Sequence, residues 1–368
     1  ERSTRTLNNN SDWFSPSFIQ GPAVSRRQRR QTVLRYIKLL STFGLILIWS
    51  CQSSTMTAAK LYIKQGETQK AVEQLEEMLR LSPESAEAHF LLAKLFAAEG
   101  RYSEMVSHLG RSADLSPQYH GEIEKTRRHF WAREYNAGVG FAQEQGTDMG
   151  QALRAFGNAT IIDENDLRAW RNLAYVYYQS DSTNAAIDTY QRIVSLDAQD
   201  GKSFYSLGVL YLNKGQHKEA EHALSRLVEI DPQHLDGHIN LAVAQVHLKD
   251  YEGAETNYRQ AIAIDPTMPS SHYNLGNLYW QQQKYSAARE AYEETIRLNP
   301  EDGDALYNLA ITHMALEDMD RALPLFEQLA EKMPNNASVW RELGRIYAHK
   351  GMLDKSKEAY AREEQLGG

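Results

Sequence analysis

GKSFYSLGVLYLNKGQHKEAEHALSRLVEIDPQH, residues 201–234, is the stretch whose reading decides the fold. Phe204, Leu207, Gly208 and Tyr211 fall at i, i+3, i+4 and i+7, one face of a helix, and Ala220, Leu224 and Leu227 mark a second. Lys214-Gly215-Gln216 separates the two patterns, and Asp231-Pro232 closes them. Thirty-four residues on, the pattern returns as Leu241, Ala242, Ala254, Tyr258, Ala261 and Pro266. It returns again as Leu275, Gly276, Tyr279, Ala288, Tyr292 and Pro300. One such helix pair buries too little apolar surface to stand alone, so a fixed period of helix pairs marks a solenoid in which each pair needs neighbours. Gly208 and Gly276 allow paired helices to approach closely, and Ala220, Ala254 and Ala288 open the second helix where the crossing is tightest. Pro232, Pro266 and Pro300 stop that helix, because proline cannot continue the hydrogen-bond ladder.

These residues resemble the tetratricopeptide repeat, whose signature is a large residue, then Leu-Gly, Tyr, Ala, an aromatic, Ala and Pro. The resemblance implies an all-α, right-handed α-solenoid of about nine helix-turn-helix units. Units at 52–85 and 86–119 come first, the former held in register by Tyr62, Gly66, Ala71, Leu75 and Pro83. An interruption at 120–132 follows. No turn residue other than small Gly138 and Gly140 separates Glu122 from Gln145, which predicts one long connecting helix over about 120–145, leading into unit three. Seven consecutive units then start at 133, 167, 201, 235, 269, 303 and 337 and run to 368. Two local departures stand out. Ala198 replaces the closing proline of the fourth unit, so its second helix is expected to run on, and Pro324 is expected to sit near an unpaired first turn.

The chain's 368 residues carry a formal charge of −8, unevenly spread. Residues 1–50 hold eight Lys/Arg against Glu1 and Asp12, which makes them +6 and the remainder −14. A body that acidic is a poor match for nucleic acid, whose backbone demands a cationic footprint. The 20 tyrosines argue for a packed chain.

Residues 1–32 read as a disordered or non-native extension, with no Met before Met56 and a plausible alternative start at Val33 or Leu34. Arg26, Arg27, Arg29, Arg30, Arg35 and Lys38 then precede an apolar run, Leu39 to Trp49, that is too short for the roughly 20 residues a bilayer span needs. A basic region, a short apolar core and a small residue make a secretory signal, placed over 33–51. Ile48-Trp49-Ser50-Cys51 resembles a bacterial lipobox, in which the cysteine is lipidated and becomes the new N-terminus, although Trp49 stands where a smaller residue is usual. That resemblance implies a lipid-anchored envelope protein, with Gln52 resembling the outer-membrane sorting pattern. An uncleaved anchor or a buried cysteine remains the alternative. Cys51 is the chain's one cysteine, so intrachain disulfides and cysteine-rich metal sites are excluded.

Chemistry is sparse. Once the nine units are assigned, no segment remains for a catalytic domain, and no phosphate loop, HExxH or nucleophile elbow occurs. No cofactor or metal is implied. His89, His238 and His272 occupy the large-residue position of their repeats, where packing explains them.

In the family resembled, the first helix of each pair lines a concave surface through its second, fifth, ninth, twelfth and thirteenth positions. Carried onto this chain, and including a neighbouring asparagine that matches a clamp position of some relatives, those positions give Arg171, Tyr175, Tyr178, Tyr205, Tyr273, Asn277, Trp280, Tyr307 and Asn308 as a candidate peptide-binding groove. Exposed aromatics in one surface suit peptide recognition, since they supply area at little entropy cost. The carboxylate clamp of some relatives is incomplete, because Tyr273, Ser338 and Glu342 replace its basic residues. The reading is a non-catalytic, envelope-anchored scaffold for a protein or peptide partner. A targeting subunit of an enzyme complex and a cytoplasmic adaptor stay open as alternatives.

Overall fold

The computed structural model describes residues 54–143 and 149–367, together with Arg35. Residues 33–51 otherwise lie outside the described residues, so the signal segment and Cys51 have no structural account. Among the described residues the chain is helix and loop, with no strand. Residues 54–65 form α1, followed by α2 (Thr68–Leu81), α3 (Ala86–Ala98), α4 (Tyr102–Leu115) and a short 3-10 turn. One continuous helix, α5, spans His120–Gln143 and is followed by α6 (Met149–Ile162). Then come the pairs α7 (Leu167–Gln179) and α8 (Thr183–Leu196), α9 (Gly201–Asn213) and α10 (His217–Ile230), and α11 (Leu235–Leu248) and α12 (Tyr251–Ile264). The last three pairs are α13 (Pro269–Gln281) and α14 (Tyr285–Leu298), α15 (Gly303–Ala315) and α16 (Met319–Lys332), and α17 (Ala337–His349) and α18 (Leu353–Gln365). The first helices of the last six pairs begin at 167, 201, 235, 269, 303 and 337, the starts the 34-residue period sets. The result is an all-α repeat solenoid. The chain divides into two compact units, 1–128 and 129–368, and the division falls within α5.

Close approach within a pair is set by missing side chains. A Cβ on Gly208 would lie 2.4 Å from Leu224, one on Gly276 2.6 Å from Tyr292, and one on Gly344 2.8 Å from Tyr360. Each of these glycines precedes its partner by sixteen residues. In the third pair the contact is made by Gly138, 2.8 Å from Phe156 and eighteen residues before it, while a Cβ on Gly140 would meet nothing within 4 Å. The first helix of that pair therefore sits two residues early relative to the strict period.

The structure differs from the expectation at both sequence departures. α8 ends at Leu196, the same repeat position at which α10 ends at Ile230 and α12 at Ile264, although Ala198 stands in place of proline. The stop is an Asx turn: Asp197 Oδ1 accepts from the Gln199 amide at 2.9 Å, as Asp231 does from Gln233 at 3.1 Å and Asp265 from Thr267 at 2.8 Å. The expected run-on at Ala198 does not occur. Pro324 lies inside α16 rather than in its unpaired first turn, so the Asp320 carbonyl goes without the i+4 amide it would otherwise accept from.

Where the large residue that opens a first helix is Trp or His, it has a polar task as well as a packing one. Trp170 Nε1 donates to the Glu164 carbonyl and Trp340 Nε1 to the Pro334 carbonyl, both at 2.9 Å. His89, His238 and His272 stand in the same slot, and each donates from Nε2 to the carbonyl six residues earlier, on Pro83, Pro232 and Pro266, at 3.2 Å. A carbonyl can only accept, so these contacts assign the Nε2 proton.

Candidate functional site

The face shared by the first helices of the second unit is built at helical spacing. On α7, Arg171, Tyr175 and Tyr178 fall at i, i+4 and i+7, and on α9 the same positions are Tyr205, Val209 and Leu212. α11 supplies Ile239, Val243 and Val246, α13 Tyr273, Asn277 and Trp280, and α15 Tyr307, Ile311 and Met314. From α9 to α15 these side chains are half-buried, most of them packed with one surface on the core beneath. Tyr175 and Tyr178 are more open, at 53% and 47% exposure, although they are aromatic.

A cavity of about 170 Å³ opens at the α7–α9 end. It is lined by Tyr178, Tyr190, Tyr205, Ser206, Val209 and Leu210. The structure thus brings together Tyr178 and Tyr205, both expected, with Tyr190, which was not. Tyr190 comes from α8, whose aromatic slot is normally read as core, and that is why its periodicity gave no hint of an open edge. Burial pushes its hydroxyl up from the ordinary tyrosine value, against a hydrogen bond with Ser206. Tyr205 is also pushed up by burial, and its ring lies 5.0 Å from that of His234.

Arg171 stands one turn before Tyr175 on α7. Its Nε and Nη2 donate to Asp200 Oδ2 at 3.0 and 2.9 Å, and the Ser203 hydroxyl donates to the same oxygen at 3.0 Å. Asp200 is almost fully buried, so the carboxylate gains its compensation from these donors. Tyr175 accepts from Gln179 Nε2 at 2.8 Å.

Farther along, Tyr273, Asn277 and Asn308 meet in one hydrogen-bonded cluster. Tyr292 donates to Asn277 Oδ1 at 2.7 Å, and Asn308 Nδ2 donates to Asn277 Oδ1 and to the Tyr273 hydroxyl, both at 3.2 Å. The two asparagines spend an end of each amide on tying α13 to α15, which leaves the opposite ends for a ligand. Tyr292, the donor that fixes them, was read from the sequence as core alone. Trp280 is half-buried against the core, with its ring 5.0 Å from that of Tyr285, and Tyr307 meets Phe326 edge-on at 5.7 Å. Among the described residues no group of three or more His, Cys, Asp or Glu is placed to hold a metal, and no helix is long and apolar enough to cross a membrane.

Comparison with known families places this arrangement. The model for the Cilia and flagella-associated protein 70 C-terminal domain matches residues 52–268, more than half of the chain. The chain belongs to this family. Tetratricopeptide-repeat models match the remainder at 248–296, 273–331 and 307–367. No curated protein matches the chain. Among solved structures, MamA from Desulfovibrio magneticus RS-1 is 18% identical, over 45% of this chain and 94% of that one, with a TM-score of 0.43. The Pseudomonas aeruginosa pilF structure is 19% identical, over 61% and 99%, with a TM-score of 0.46. YrrB, described as a TPR protein with an unusual peptide-binding site, is 19% identical, over 55% and 100%, also at 0.46. The tetratricopeptide repeat fold is that of protein–protein interaction scaffolds, and this chain has it.

Proposed function

We propose that this chain is a non-catalytic scaffold that docks a segment of a partner protein on the first-helix face of its second unit. The observation that carries the proposal is the cavity joining Tyr178 and Tyr205, continuous with half-buried apolar side chains on α9 to α15. Aromatic anchors in a partly desolvated pocket are where binding energy concentrates. The test places a photo-crosslinking benzoylphenylalanine at Tyr178 and, as a control, at Tyr360, which is also exposed but lies on α18. A partner joined at Tyr178 and not at Tyr360 supports the docking face. Equal labelling at both positions, or labelling at Tyr360 alone, contradicts it.

A membrane anchor through Cys51 is a separate part of the proposal. The basic run from Arg26, the short apolar segment Leu39–Trp49 and Ser50 before Cys51 support it. Cys51→Ala is expected to leave an unprocessed chain with altered fractionation, and unchanged fractionation would remove the anchor from the proposal.

A further inference from the structure

The docking face carries little charge and an excess of proton donors. From Tyr175 onward the row over α7–α15 holds no Lys, Arg, Asp or Glu, and Arg171 before it is held by Asp200. Lys202, Asp236 and Asp304 stand about one turn before the row and differ in sign, so they select no charged ligand. The polar groups left over mostly donate. Tyr175 accepts a proton from Gln179 and keeps its own, and the Tyr178 hydroxyl has no hydrogen-bond partner among the described residues. Asn277 spends its oxygen on Tyr292 and Asn308, which leaves its amide protons for a ligand. Asn308 presents an amide oxygen, because its Nδ2 is taken by Asn277 and Tyr273.

A segment laid on such a face must bring acceptors and few donors, because an N–H desolvated without a partner is costly. An ordinary extended chain brings one N–H for every carbonyl, whereas proline brings the carbonyl alone. The cavity of Tyr178, Tyr190 and Tyr205 selects the same residue, since aromatic-lined grooves seat polyproline II segments that are already extended when free. The spacing agrees. A polyproline II helix turns once in three residues and advances about 9 Å, while packed helices, as α9 and α11 are, lie about 8–10 Å apart. Resting on the docking face proposed above, we infer that its occupant is an uncharged, proline-rich segment in the polyproline II conformation, with a proline at every third residue and one ring seated between Tyr178 and Tyr205.

The test titrates the full chain with three fluorescein-labelled peptides of equal length. One repeats Pro-Ala-Leu, one holds the same residues in an order that breaks the three-residue spacing, and one has a Leu/Phe/Ala core without proline. The first is expected to bind about tenfold more tightly than either of the others. Tyr178→Ala, with its helical signal checked by circular dichroism, is expected to weaken all three and the first most. A reordered or Leu/Phe/Ala peptide that binds as tightly as the Pro-Ala-Leu repeat, and that Tyr178→Ala weakens, overturns the inference while the docking face stands. Absence of binding by all three, or binding that Tyr178→Ala leaves unchanged, overturns the docking face itself.

Discussion

Tyr292 donates from its buried hydroxyl to Asn277 Oδ1 across 2.7 Å, and this bond makes an asparagine of the candidate groove part of the scaffold. The same hydroxyl belongs to the ring that packs over Gly276, so one side chain sets both the spacing within a pair and the position of the neighbouring amide. Tyr292→Phe keeps the ring and removes the bond. It is expected to cost about 1 kcal/mol in urea unfolding, the usual net worth of a neutral hydrogen bond. Asn277→Ala and the double variant complete a cycle, and simple additivity would show that the bond couples nothing.

The third pair offers a sharper contrast. Gly138 and Gly140 are both in α5, but only the first faces a rigid, almost fully buried ring, that of Phe156. Gly138→Ala is expected to destabilise by about 1–3 kcal/mol through overpacking. Gly140→Ala, in open space and helical backbone, is expected to stabilise by about 0.5–1 kcal/mol. The reverse order in thermal unfolding would mean that the strict 34-residue register holds in α5 after all.

That pair also shows how far the fold was legible. The period sets helix starts from Leu167 to Ala337, because a small residue, glycine at 208 and 276 and alanine at 174, 242 and 310, must face a large partner in each of these pairs. It missed the two-residue offset at Gly138, since glycine at 138 and glycine at 140 read alike until the ring of Phe156 is in place. The helix stops were attributed to proline, and Asp197 shows that the Asx turn suffices without it. For the candidate site, periodicity located the face of Tyr175, Tyr178 and Tyr205. It could not show that Tyr190 has an open edge or that Asn277 is held by Tyr292, because these depend on contacts between residues fifteen or more apart in sequence.

His89 and His108 carry a pH dependence in the first unit. Their Nδ1 atoms are 2.8 Å apart, and His89 commits its Nε2 proton to Pro83, so His108 supplies the proton they share. Burial, above all, holds both rings below the ordinary histidine value of 6.5, with Arg111 adding to this at His89 and the neighbouring His89 adding to it at His108. A second proton would have to break the short contact. The unfolded chain therefore binds protons that the folded chain resists, so stability falls as pH drops below about 6.5, by at most about 1.4 kcal/mol per pH unit for each proton. Hydrogen exchange of residues 54–119 between about pH 7.5 and 5.5 is expected to show this loss, and His89→Gln with His108→Gln to flatten it. A wild-type profile as flat as that of the double variant would contradict the assignment.

The central claim is that Tyr178 serves a ligand and not the core. Tyr178 is 47% exposed, so its truncation is expected to leave unfolding free energy within about 0.5 kcal/mol of the parent. The direct measurement is fluorescence-anisotropy binding of a fluorescein-labelled peptide with a Leu/Phe/Ala core to the parent and to Tyr178→Ala, with thermal unfolding recorded on the same samples. The account expects an unchanged unfolding midpoint and a loss of about 2 kcal/mol, roughly thirtyfold in affinity. An unchanged affinity, or a weakened one that merely follows a collapsed fold, would contradict it.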